Sequence, residues 1–253
     1  MSQNQFQQLK NPPIQEAIID IQFELVDPDK LDLKSLENFA DSIKTEYPKK
    51  SPKIRYSIGF AVSAKPGEDK PIDRQMLQEG FVLTNDKEKK VVQLSFNNFT
   101  FNKLNPYSSW EEIKTDSKAV WENFTSQFPI AKIKRVALRY INKIEIETPI
   151  GERGFDAYLK MLPSIPSELS PIVDHFTLQV VMPMPNENIK AIVTQTFETK
   201  EKGIEYLLDI DTYQEANNHF TIEELWVEFE KIRNFKNQIF FYSTTDLLRS
   251  KFN

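Results

Sequence analysis

The chain has 253 residues, 40% of them hydrophobic, which is enough for a sizeable core in one large domain or two small ones. A formal net charge of −5 argues against bulk affinity for nucleic acid or an anionic membrane. The absence of cysteine excludes disulfides, thiolate metal sites and cysteine nucleophiles. The opening MSQNQFQQLK lacks the apolar run of a signal peptide, and no apolar stretch is long enough to span a bilayer. A cytoplasmic protein is the expectation.

Residues 1–14 read as an extended lead-in that includes Asn11-Pro12-Pro13. A strand follows from Gln15 to Leu25, with Ala17, Ile19, Ile21, Phe23 and Leu25 on one face and Asp20, Gln22 and Glu24 on the other. Leu36, Phe39, Ala40 and Ile43 give the three–four spacing of a helix over about 31–47. Ile54 to Val62 alternates as a strand, 63–77 is a turn-rich loop, and Gly80 to Thr84 is a short strand. Val91 to Phe101 reads as one longer strand, its alternation broken at Asn97-Asn98 by an expected bulge. Ser108 and Ser109 before Glu111 and Glu112 cap a helix that carries Trp110, Ile113, Val120, Trp121, Phe124 and Phe128 toward the core.

Ile133 to Ile146 is the longest alternating stretch. Val136, Leu138, Tyr140, Ile144 and Ile146 share one face, and Arg135, Arg139 and Lys143 the other. Asn142 falls on the apolar face, so its amide needs partners if buried. A short helix is expected at Phe155, Tyr158, Leu159 and Leu162, then a Pro- and Ser-rich connector. Three hairpin-linked strands follow at 175–182, 189–198 and 204–213. Thr221 and Glu224 form a capping box before a helix with Leu225, Trp226, Phe229 and Ile232, and Thr245 caps a last short helix.

Written as elements, the chain reads β-α-βββ-α twice, over 15–131 and 132–253. This predicts an α+β fold, an antiparallel sheet with helices packed on one side and a pseudo-duplicated topology. A single helix-grip domain with a longer curved sheet is the alternative, so the two halves need not be separate domains.

Asn11 to Ala17 (NPPIQEA), Tyr107, Trp110, Arg135 to Ile144 (RVALRYINKI), Leu208-Asp-Ile-Asp211 and Thr244 to Leu248 together resemble a sporadically distributed bacterial family of uncharacterised proteins. The resemblance covers almost the whole chain and implies no catalytic residues. Ala137 stands where that family usually has glycine.

Candidate site residues come from the polar strand faces. Asp20, Arg135, Arg139, Lys143, Asp209 and Asp211 would form a charged sheet face that meets an unidentified protein or a charged small ligand. A sharper reading makes Asp209 and Asp211 hard-metal ligands of a magnesium-dependent enzyme on the same face. Complementary solvated charges across neighbouring strands account for the same pattern. Lys49, Lys50, Lys53 and Arg55 could touch phosphate, but no aromatic interleaving accompanies them. No P-loop, G-x-S-x-G or H-E-x-x-H is present, and six glycines leave little for a phosphate cradle. His175 falls on the polar side of its strand and His219 in a loop, with no triad to place them in. The expectation is a non-enzymatic binding module without a cofactor.

Overall fold

The computed structural model describes residues 6, 8–59, 73–146, 155–166, 168–169, 173–200, 203–216 and 220–253. Nine antiparallel strands form one sheet: β1 (Ile14–Leu25), β2 (Lys49–Gly59), β3 (Asp73–Asn85), β4 (Lys90–Ser95), β5 (Asn98–Leu104), β6 (Ile130–Ile146), β7 (His175–Pro183), β8 (Ile189–Lys200) and β9 (Gly203–Glu215). Their order is β2-β3-β4-β5-β1-β6-β9-β8-β7. The fold is α+β, with the helices α1 (Leu33–Ser42), α2 (Trp110–Gln127), α3 (Leu225–Ser243) and the single turn α4 (Asp246–Arg249).

Alternation dictates which face is covered. Odd residues of β1 and even residues of β6 and β9 are buried and share one core with Leu36 and Phe39 of α1, Trp121 and Phe124 of α2, and Phe229 and Ile232 of α3. The helices therefore cover one face of the sheet, as the periodicity predicts. Phe124 ties three elements together, its ring centroid lying 5.6 Å from Phe23 and 5.4 Å from Phe39. Two of the three expected caps follow their sequence signals. Ser109 accepts from the Glu112 amide at 3.2 Å, and Thr245 Oγ1 accepts from the Leu248 amide at 3.2 Å. At Thr221 the Glu224 carboxylate accepts from the Thr221 amide at 2.8 Å, but the reciprocal cap is missing and α3 begins only at Leu225.

Several expectations change. The stretch from Val91 to Phe101 is not one bulged strand but the two strands β4 and β5, which pair with each other through a turn at Phe96 and Asn97. Residues 73–77, expected in a loop, belong to β3, where they pair with β2 beyond the end of β4. The helix expected at 155–162 is a 3-10 turn, Phe155–Ala157. After it the backbone is tied to the C-terminal segment instead, by the Thr245 amide to Tyr158 O at 3.0 Å and a bridge from Leu159 to Thr244. The first half thus has four strands after its first helix and the second three strands after a 3-10 turn, so the halves differ element by element. The strand expected at 54–62 starts earlier, at Lys49, and its last residues lie outside the described ones.

Candidate functional site

The open face of the sheet holds the charges read from the sequence. Odd residues of β6 and β9 and even residues of β1 point there, because their neighbours are committed to the core. Asp20 accepts from Asn98 Nδ2 at 2.8 Å and Thr100 Oγ1 at 3.0 Å, and Arg135 reaches it at 3.4 Å. Arg135 also reaches Asp211 at 3.5 Å and lies over the Tyr213 ring at 4.6 Å. Arg139 holds Asp209 with two hydrogen bonds, Nε at 2.9 Å and Nη2 at 2.5 Å. Lys143 pairs with Glu205 at 3.0 Å. The six candidates therefore share one face, and each is engaged by an oppositely charged neighbour. Arg139 stands directly opposite Asp211 but bonds the diagonal Asp209.

Asp211 retains one peculiarity. Its Oδ1 is buried without a hydrogen-bond partner, and burial pushes its carboxyl above the usual range despite the nearby Arg135 and Arg139. Among the described residues no group of three or more His, Asp or Glu side chains is placed to hold a metal ion. His175 is exposed on this face, and His219 lies outside the described residues. The basic segment is neutralised: Lys49 pairs with Asp86, Lys50 with Glu37 and Asp41, and Lys53 and Arg55 both with Glu79.

A second polar assembly lies on the helix side, where the sequence reading placed only core. A cavity of about 700 Å³ opens between the start of α2 and the middle of α3. Asn142 and Ile14 contribute from the sheet, and Leu9, Pro12 and Pro13 from the N-terminal segment. Tyr107, Trp110 and Glu111 form the α2 side, with Glu230, Arg233, Asn234, Lys236, Asn237 and Phe240 across from them. Three stretches singled out in the sequence thus converge here: Pro12 to Ile14, Tyr107 with Trp110, and Asn142.

Most polar groups around the cavity are satisfied. The Asn142 amide donates to Leu208 O at 3.0 Å and Tyr140 O at 3.4 Å. The Tyr107 and Tyr140 hydroxyls share a hydrogen bond of 3.2 Å, and burial holds both above the usual phenol range. Glu230 accepts from Trp110 Nε1 at 2.9 Å and Lys114 at 2.6 Å. Burial opposes its ionisation, but those two donors together with the charges of Lys114 and Arg233 keep its carboxyl below the usual range.

Lys236 differs from these groups. It is 8% exposed, and its nitrogen lies 3.8 Å from the centroid of the Tyr140 ring. Among the described residues it has no carboxylate or carbonyl partner. Burial, helped by the nearby charge of Arg233, pushes its amine down to about 7. The other buried lysine, Lys103, shows what a satisfied one looks like: it donates to Glu88 O at 2.8 Å and reaches Glu112 at 3.3 Å.

The sequence does carry a signal for Lys236. It stands four residues after Ile232 and three before Ile239, inside the buried stripe of α3. A lysine in an apolar stripe is the helical counterpart of Asn142 in an apolar strand face. Neither a scan against protein-family models nor a search of curated proteins finds a match to this chain.

Proposed function

We propose that this protein is a non-enzymatic binding module that takes a small anionic ligand in the cavity between α2 and α3. The observation that carries this reading is Lys236: a nine-tenths buried amine that lines a ligand-sized cavity and has no counter-charge among the described residues. An anion would supply that charge, and Arg233, three residues earlier on the same helix face, adds a second cation. Leu9, Pro12, Pro13 and Phe240 offer apolar contact for the body of the ligand.

Thermal-shift titration with benzoate, phenylphosphate and phenylpyruvate tests it. At millimolar concentrations at least one should raise the melting temperature of the wild type, and Lys236→Met should lose the response. A wild type that answers none of them, or a Lys236→Met variant that answers equally, overturns the reading.

A second reading places a charged protein partner on the open sheet face. It is favoured by Asp211 Oδ1, a buried acceptor to which no group in the chain donates among the described residues. Arg139→Glu would then abolish capture of such a partner while the protein stays folded; equal capture by the variant would sink this second reading.

A further inference from the structure

We propose that Lys236 forms a reversible imine with the carbonyl carbon of a small 2-oxo acid bound in the cavity, with Arg233 receiving the adjacent carboxylate. The inference rests on the cavity-binding reading and deepens it, from an anion in general to a carbonyl-bearing one.

The first argument is access. An amine adds to a carbonyl only if the two can meet, and Lys236 is buried from bulk solvent yet lines a cavity of about 700 Å³. The second is the absence of a carboxylate partner among the described residues, since an ion pair would hold the amine in its protonated, non-nucleophilic form. The third is the neighbouring cation. Desolvation and a second positive charge are the two means by which a lysine is made a nucleophile near neutral pH, and both act here. The Tyr140 ring face pulls the other way by favouring the ammonium, so both forms are within reach.

The groups around Lys236 divide the work. On α3 are Arg233, Glu230, Asn234 and Asn237, on the α2 side Tyr107 and Glu111, and from the sheet Asn142 with the Tyr140 ring. Glu230 is already occupied by Trp110 and Lys114, and its contact with Arg233 is a looser 3.5 Å. Arg233 therefore keeps donors for a ligand carboxylate. Side chains three apart on a helix are neighbours, with Cβ atoms about 5–6 Å apart. That suits a ligand whose carboxylate and carbonyl are adjacent.

The step balances without any added reagent. The Nζ lone pair of the neutral amine adds to the carbonyl carbon, and a proton passes from nitrogen to oxygen to give a carbinolamine. The C–O bond then breaks, the hydroxyl leaves with the remaining nitrogen proton as water, and a C=N bond remains.

The test is reductive trapping on the full chain. Protein is incubated at neutral pH with pyruvate, glyoxylate or phenylpyruvate and sodium cyanoborohydride, which delivers hydride to the imine carbon and fixes a secondary amine. Intact mass and peptide mapping locate the adduct. An ordinary lysine is only about 0.04% neutral at pH 7 and an amine near 7 about half, a ratio of roughly 1000 that the weaker nucleophilicity of a less basic amine reduces. Lys236 should therefore label on the order of 100-fold faster than surface lysines. Lys236→Met should lose this single fast adduct and Arg233→Ala should slow it about tenfold.

Labelling spread evenly over surface lysines, or a fast adduct that survives Lys236→Met, overturns the imine. Benzoate has no carbonyl to condense, so its thermal shift separates the two readings. A benzoate shift that persists in Lys236→Arg without trapping in the wild type leaves the cavity reading standing and the imine refuted. No shift and no trapping overturns both.

Discussion

At the scale of single residues, Lys236 is a costly feature of the fold. A buried amine without a counter-charge is destabilising, and replacing it by an apolar side chain of similar length should relieve that cost. The sign follows from proton binding. The folded amine lies near 7 and an unfolded lysine near 10.4, so between those values the unfolded chain holds a proton that the folded chain has released. Wild-type stability therefore rises with pH across that window, and the penalty is constant below it. The shift corresponds to on the order of 5 kcal/mol. Lys236→Met should therefore be more stable than wild type by a few kcal/mol at pH 6, with the gap closing toward pH 10. Urea titrations of both proteins at a series of pH values check this, and a gap that ignores pH would contradict it.

The polar face shows residue-scale chemistry of the opposite kind. Arg139 and Asp209 form a bidentate pair in a solvated setting, where such pairs contribute at most about 1 kcal/mol. Satisfaction, not residue type, separates the two assemblies: the sheet-face cations have partners on the next strand, and Lys236 has none among the described residues.

At the scale of elements, the strands owe their faces to a period of two and the helices to a period of 3.6. Both were legible. Trp121, Phe124, Leu225, Phe229 and Ile232 are buried as their spacing predicts. Turn geometry was less legible. Phe96-Asn97 carries no glycine to announce a hairpin, so β4 and β5 read as one strand with a flaw. Gly80 is the reverse case, a glycine whose reason appears only in the sheet. A Cβ added there would stand 1.8 Å from Leu94 O on β4, so only glycine allows the two backbones to approach so closely.

At the scale of the whole molecule, the two halves are joined at β1 and β6, which pair over most of their length in the middle of the sheet. Each has its own meander on the other side, β5 beside β1 and β9 beside β6. Helix contacts also cross the junction: Trp110 and Lys114 of α2 both bond Glu230 of α3. Such a sheet should unfold as one cooperative unit. Trp110 and Trp121 report on the first half and Trp226 on the second. Within each variant that keeps one set, the fluorescence midpoint in urea should therefore coincide with the midpoint of the far-ultraviolet circular dichroism, and midpoints that differ within one variant would mean that the halves unfold separately.

By itself the sequence determined the α+β class, the antiparallel strands, the single helical layer and which residues face the core. These follow from local periodicity, which each segment carries within its own few turns. It also placed Asp20, Arg135, Arg139, Lys143, Asp209 and Asp211 on strand faces opposite the core. Only the tertiary structure decided that Arg139 meets Asp209, seventy residues away, and that Trp110 meets Glu230, one hundred and twenty away. It alone turned Lys236 toward a cavity. The physical reason is the same in each case: periodicity assigns a side chain to a face, but what stands opposite that face depends on which strands and helices pack together across the whole chain.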